Sequence, residues 1–173
     1  YRSPVRQGRL RDGGGIELRV GDGCDALALA GRYVVNAAGL GAQTVARAIE
    51  GLPAASIPPL YYNKGTYFTL AGRPPFARLV YPVPDHASIG LHYTRDLAGR
   101  GRFGPDTQWV EGIDYTVEPG RAERFYASIR RYWPELPDGA LTPDYAGIRP
   151  KLQSPTTPPH DFVISGPESH GVA

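Results

Sequence analysis

One short stretch constrains the fold of this chain more than any other. Elsewhere the apolar residues mostly alternate with polar ones, as half-buried strands require. Tyr33-Val34-Val35 does not alternate. A continuous apolar run is the mark of a strand buried on both faces in a parallel sheet. It leads into Asn36-Ala37-Ala38-Gly39-Leu40-Gly41, small residues that let backbone approach backbone or a ligand. A helix is expected over residues 42–50, with Val45, Ala46 and Ile49 on one face, ended by Gly51 and Pro53. Strand, glycine turn and helix is a geometry that binds dinucleotides. The full fingerprint is absent: counted from Gly39 the sixth position is Thr44, and no acid follows at ~20 residues. Two readings stay open at this turn, a nucleotide contact and close helix–strand packing.

Around that stretch the patterning is antiparallel. Residues 3–10 and 16–20 read as strands joined by Asp12-Gly13-Gly14-Gly15, and residues 25–29 as a third, giving a small meander. Further strands are expected over 64–70, 79–83, 88–94, 144–152 and 161–164, with a glycine- and arginine-rich loop over 97–104. Residues 119–134 give the best helical stripe, with Ala122, Phe125, Tyr126, Ile129, Tyr132 and Trp133 on one side. The fold class is therefore α+β with an α/β portion. At 173 residues the chain can hold one good core or parts of two layers.

Composition excludes several classes. The 19 basic residues are nearly all arginine and are interspersed with acids, and net charge is +2. There is no basic stripe of the kind nucleic acid demands. Cys24 is alone, so no intrachain disulfide is possible. No apolar run approaches the ~20 residues of a membrane-spanning helix. The chain lacks methionine, starts at Tyr1 and stops in a polar loop. It reads as a piece of a longer chain, so any N-terminal targeting signal lies outside it. The expected compartment is the cytoplasm, or the periphery of the inner membrane.

P-loop, paired CxxC, HExxH and GxSxG motifs are missing. His86, His92, His160 and His170 do not share ligand spacing with carboxylates, so no metal site is expected. Three residues remain. In the 88–94 strand, Ile89, Leu91 and Tyr93 form a core face, and Ser88, Gly90, His92 and Thr94 the other. That second face is small and leaves room for something flat beside His92. Tyr81 precedes a Pro-Val-Pro bend. Arg149 sits in Gly-Ile-Arg-Pro, where a fixed guanidinium can hold a planar carboxylate bidentately. A structural histidine and a surface ion pair are the plainer readings of His92 and Arg149.

Together these pieces resemble the FAD-dependent oxidoreductases of the D-amino-acid oxidase type, most nearly the L-2-hydroxyglutarate dehydrogenase branch. The matching segments are Val34-Val35-Asn36-Ala37-Ala38-Gly39, Lys64-Gly65-Thr66-Tyr67-Phe68, Tyr81-Pro82-Val83-Pro84, Gly90-Leu91-His92-Tyr93-Thr94, Gly104-Pro105-Asp106, Ala146-Gly147-Ile148-Arg149-Pro150 and Asp161-Phe162-Val163-Ile164. They occur in family order and cover nearly the whole chain.

The resemblance implies part of an FAD-binding, Rossmann-like domain over residues 1–55. It implies an antiparallel β-sheet substrate domain with helices over 56–155, and a return toward the first domain over 156–173. FAD is the implied cofactor, touched by Ala37, Ala38 and Gly39, with Val5 near the adenine. Tyr81 and Arg149 would face the substrate carboxylate, and His92 has the intrinsic chemistry of a base for a hydroxyl proton. The implied reaction oxidises a small 2-hydroxy acid to the 2-oxo acid. The implied partners are a small carboxylate substrate, the remainder of the parent chain and an electron acceptor. An amine or amino-acid oxidase of the glycine or sarcosine oxidase kind stays open. For the isolated piece, so does a non-catalytic β-rich binding module. The family's GxGxxG unit and its glycine-rich C-terminal segment do not occur in these residues.

Overall fold

The computed structural model describes residues 3–83 and 90–172. The chain forms two compact units, residues 1–60 with 150–173, and residues 61–149. In the first, β1 (Val5–Leu10), β2 (Ile16–Val20) and β3 (Leu27–Gly31) make an antiparallel sheet in that order. Gly13, Gly14 and Gly15 all have positive φ, which L side chains rarely adopt, so the expected hairpin is built as its residues allow. A 3-10 turn over Gly39–Gly41 leads into α1 (Ala42–Arg47). The chain after α1 returns to β1: Gly8 donates to the Ala48 carbonyl at 2.9 Å and accepts from the Glu50 N–H at 2.8 Å.

Two expected strands of this unit do not form. Residues 33–35 and 161–164 belong to no strand. Tyr33 is 76% and Val35 89% exposed, and Phe162 and Ile164 are also exposed. A strand of the parallel, doubly covered kind is held by ladders on its edges and side chains on both faces. No described residue pairs with either segment, so the apolar pattern is present without the neighbours that would use it.

The second unit is a five-stranded sheet with one helix on its apolar face. Its strands are β4 (Tyr61–Leu70), β5 (Tyr93–Arg95), β6 (Gly101–Phe103), β7 (Gln108–Val110) and β8 (Leu141–Lys151). They run β5-β6-β4-β7, and β8 also pairs with β4. Along β4 the alternation is strict: Lys64, Thr66, Phe68 and Leu70 are buried, while Gly65, Tyr67 and Thr69 face the other way. Helix α2 (Ala122–Ile129) lays Phe125, Tyr126 and Ile129 on the buried face. Burying each of these side chains contributes about 1.5–3 kcal/mol. Phe125 meets Phe68 with centroids 4.6 Å apart, and Leu91, Tyr93 and Phe103 join the same core.

Here too the boundaries move. The helix expected to reach Pro134 ends at Ile129. The Arg130 guanidinium turns the chain back, donating to the Leu136 carbonyl at 2.8 Å and to Asp138 at 2.5 Å. Of the strand expected over 88–94, only Tyr93 onward is strand, and residues 84–89 lie outside the described residues. Gly90 has φ +77°, and a Cβ there would meet Pro82 Cγ at 2.7 Å, so the chain bends where the pattern predicts extension. The strand expected over 79–83 reduces to one antiparallel bridge, Val80 to Tyr93. The expected 97–104 loop instead contains β6.

Candidate active site

The second unit brings two of the three expected site residues together. Val80 and Tyr93 exchange both backbone hydrogen bonds, at 3.0 and 2.8 Å. In an antiparallel pair the next residues, Tyr81 and His92, are then directly opposite, and side chains approach most closely there. Their ring centroids are 4.1 Å apart with planes inclined at 34°. The flat group beside His92 is therefore the Tyr81 phenol, which corrects the expectation of free room on that side.

The row continues across the sheet. Tyr93, Phe103 and Phe68 are in register on the core face, each fully buried. One step along, the register sets His92 opposite Gly104 and Gly104 opposite Tyr67. Gly104 donates to the His92 carbonyl at 2.9 Å. Its φ is +135°, and a Cβ there would lie 2.6 Å from the Thr66 carbonyl oxygen and 2.8 Å from the Tyr67 ring. Glycine at this point keeps the row flat. Beyond it Tyr67 stacks on Tyr145 of β8, centroids 4.5 Å apart and planes 17° from parallel. Tyr81, His92, Gly104, Tyr67 and Tyr145 thus line up on the face away from the core.

Charge on this face is sharply divided. Arg102 is ion-paired with Asp144, which also accepts the Thr69 hydroxyl at 2.7 Å, and the Arg102 guanidinium lies 5.1 Å above the Tyr145 ring. Arg102 and Thr69 hold the Asp144 carboxyl below the usual carboxylate range against the opposing effect of burial. Arg149, on the same strand as Tyr145, is exposed and has no acidic partner among the described residues. Burial first, then Tyr145, pushes the Tyr67 phenol up, while the Arg149 and Arg102 charges pull the other way.

The Gly104-Pro105-Asp106 motif has a supporting role. The Asp106 carboxylate accepts the Thr66 N–H at 2.8 Å and pairs with Arg121 at the start of α2. On the core side Lys64, only 3% exposed, donates to Asp114 at 3.0 Å and to the Thr116 carbonyl at 2.5 Å. Both contacts fix the flanking loops to β4.

The remaining expected residues lie in the first unit. Val5 opens β1 opposite Val20. Ala37 and Ala38 are exposed and precede the turn at Gly39, whose φ is +55°. Asn36 braces the turn by donating to the Ala42 carbonyl at 2.7 Å. A Cβ on Gly39 or Gly41 would meet nothing within 4 Å. Among the described residues, neither glycine makes a close helix–strand contact. Open main chain beside an exposed apolar segment fits a group that approaches the backbone closely, as a flavin nucleotide does. No group of three or more metal-ligating side chains occurs among the described residues. No helix there is long and apolar enough to cross a membrane.

Sequence reasoning missed Tyr67 and Tyr145 as members of this row. The signal was available in the strict alternation of 64–70, which turns Tyr67 away from Phe68 and onto the face shared with His92.

Comparison with solved structures gives the fold class. The chain is similar to L-alpha-glycerophosphate oxidase of Mycoplasma pneumoniae, solved with FAD bound, with TM-score 0.70 and 16% identity over 88% of this chain and 40% of that one. It is also similar to glycine oxidase of Geobacillus kaustophilus, with TM-score 0.68 and 19% identity over 98% of this chain and 41% of that one. The FAD dependent oxidoreductase (DAO) family matches residues 1–173, and the chain belongs to that family. Within curated proteins it is 49% identical over 158 residues to L-2-hydroxyglutarate dehydrogenase, mitochondrial, of Arabidopsis thaliana. That match covers 84% of this chain and 33% of the relative, so the chain spans about a third of that protein's length.

Proposed function

We propose that this chain is part of an FAD-dependent dehydrogenase that oxidises a small 2-hydroxy acid, of the 2-hydroxyglutarate kind, to the 2-oxo acid. The observation that carries the reading is the 49% identity to a protein of that name across 84% of the chain. An arginine without an acidic partner among the described residues and a histidine–tyrosine pair on one sheet face support it.

The division of labour follows the two units. The first, with Val5, Ala37, Ala38 and Gly39, contributes to holding FAD. The second takes the substrate. When bound, FAD supplies the acceptor for the two electrons and the hydrogen leaving the substrate carbon. Arg149 holds the carboxylate through two parallel N–H donors. The Tyr81 hydroxyl donates a hydrogen bond to the same carboxylate. His92 takes the hydroxyl proton, so that the alcohol carbon becomes a carbonyl as its hydrogen departs. A neutral amine has no O–H proton to lose, which is why the imidazole favours an alcohol over an amine substrate. The parent chain completes the protein and passes electrons to an acceptor. Its location in this reading is cytoplasmic or peripheral to the inner membrane, which fractionation with an antibody to the parent tests.

The deciding experiment uses the full-length parent. Acid precipitation is expected to release FAD into the supernatant, and anaerobic addition of 2-hydroxyglutarate to bleach the flavin absorbance. Bleaching by glycine or sarcosine but not by the hydroxy acid overturns the reading.

A further inference from the structure

We propose that the uncovered part of the apolar face of the first sheet, Leu27 and Leu29 of β3, is the seat of an uncharged aliphatic surface supplied by the rest of the parent chain. The inference rests on the reading of this chain as part of a longer protein.

The register of the sheet makes its two faces opposite in character. Ile16, Leu18 and Val20 of β2 stand directly opposite Gly31, Leu29 and Leu27 of β3. Directly opposed residues share a face, so this face is apolar along the whole pair. One residue along, Glu17 is opposite Ala30 and Arg19 is opposite Ala28, on the other side of the sheet. There Glu17 also pairs with Arg9 at 2.8 Å. A sheet patterned in this way gives its charged face to water and its apolar face to a packed layer.

That layer covers only part of the sheet. Toward β1, Ile49, just past α1, packs on Gly8, where a Cβ would lie 3.0 Å from the Ile49 side chain. Ile16, on the same face, is 1% exposed. Toward β3 the cover stops: Leu27 is 62% and Leu29 52% exposed. The chain leaving β3 continues apolar and exposed through Tyr33 and Val35. A single exposed leucine is ordinary, whereas a run of apolar residues on the inner face of a half-covered sheet marks an interface.

Three observations select the occupant. The strip carries no charge, so a charged partner group would lose its water there with nothing to replace it. The partner surface is therefore aliphatic. The strip also continues a face that the chain's own α1 segment already covers, as one intramolecular layer does. Finally, the chain spans about a third of the length of its 49% identical relative, which leaves the larger part of such a protein to supply the layer. A covalently linked segment is present at a roughly millimolar effective concentration, which a second copy in dilute solution does not match.

The test is hydroxyl-radical footprinting of the full-length parent, each leucine being compared with itself in denaturant. It needs neither flavin nor substrate. Leu27 and Leu29 are expected to be protected to the level of Leu136, which is 2% exposed. Oxidation of both at close to the denatured rate overturns the proposal. Protection that is lost on dilution from dimer to monomer overturns it too, and assigns the strip to a second copy. Thermal melts of the parent give an independent reading. Leu29→Ser should lower the midpoint by several degrees, while Ala30→Ser, on the charged face, should leave it in place; equal midpoints in the two variants overturn the proposal. The outcomes separate from those of the functional reading. Protected leucines in a protein that binds no flavin uphold the interface and sink the dehydrogenase. Exposed leucines in a flavin-bearing, hydroxy-acid-oxidising protein do the reverse.

Discussion

Tyr81 and His92 face each other because Val80 and Tyr93, one residue away, exchange two backbone hydrogen bonds. The phenol covers one flank of the imidazole, so a ligand must use another. Tyr81 therefore has two separable duties, its ring for His92 and its hydroxyl for substrate. Tyr81→Phe keeps the first and loses the second. It should raise the KM of the parent for the hydroxy acid about tenfold and leave the limiting rate of flavin reduction nearly unchanged. Tyr81→Ala should lower that rate as well. Equal rates in the two variants would show that the ring does not position His92.

Arg149 lacks an acidic partner among the described residues. Arg149→Lys conserves charge but cannot present two parallel donors. The lost contact to a carboxylate is worth roughly 1.5–3 kcal/mol, so KM should rise roughly tenfold to hundredfold. Steady-state kinetics of the purified parent check it, and unchanged KM removes Arg149 from the site.

Gly104 separates His92 from Tyr67 in the row. Gly104→Ala would put a methyl group 2.6 Å from the Thr66 carbonyl oxygen and 2.8 Å from the Tyr67 ring, at a φ of +135°. Backbone in such a region costs on the order of 1–3 kcal/mol for a residue with a side chain. The variant should unfold at a lower denaturant concentration and bind carboxylates more weakly. Wild-type values for both would mean that the sheet yields at this point.

Much of the second unit was legible in the sequence, for a specific reason. Alternation over 64–70 and the stripe from Ala122 to Ile129 are local signals, and each element meets its partners within 61–149. The residues 33–35 and 161–164 carry signals as strong, yet lie exposed, because a parallel strand is made by neighbours and these have none among the described residues. His92 and Tyr81 were legible singly, but their pairing depends on one bridge between residues 13 apart in sequence, which no periodicity encodes. Tyr67 and Tyr145, 78 residues apart, were hidden for the same reason.

Asp114 offers a pH test of the core-side anchor. Its carboxyl is held down at about 2, chiefly by the Thr116 N–H at 2.9 Å, with Lys64 helping. An unfolded aspartate titrates near ~3.9. The folded value is depressed, so the contribution to stability is complete above ~3.9 and is lost as pH falls toward about 2. Asp114→Asn should therefore be less stable than wild type near neutral pH, and the gap should narrow between about pH 4 and pH 2. Thermal melts across that range decide it; a gap independent of pH refutes the ionic role of Asp114.

His92 carries the boldest prediction. It stands on the face opposite the buried Tyr93, its carbonyl tied to Gly104 and its ring against Tyr81, so both backbone and imidazole are held. A 2-hydroxy acid gripped by Arg149 has to shed its hydroxyl proton while its carbon hydrogen leaves. Among the described residues no other histidine shares this row: His160 and His170 belong to the first unit, and His86 falls outside the described residues. General-base catalysis contributes roughly 10²–10⁴-fold, so His92→Ala should slow flavin reduction by about that factor. His92→Asn can hydrogen-bond but cannot accept a proton, and should be nearly as slow. The acidic limb of the rate profile should disappear in both, because that limb reports the base losing its proton. Anaerobic stopped-flow reduction of the parent by 2-hydroxyglutarate across pH makes the measurement. Wild-type reduction by His92→Asn, with the acidic limb intact, would reduce the imidazole to a positioning group and move the base to water or to another residue of the parent.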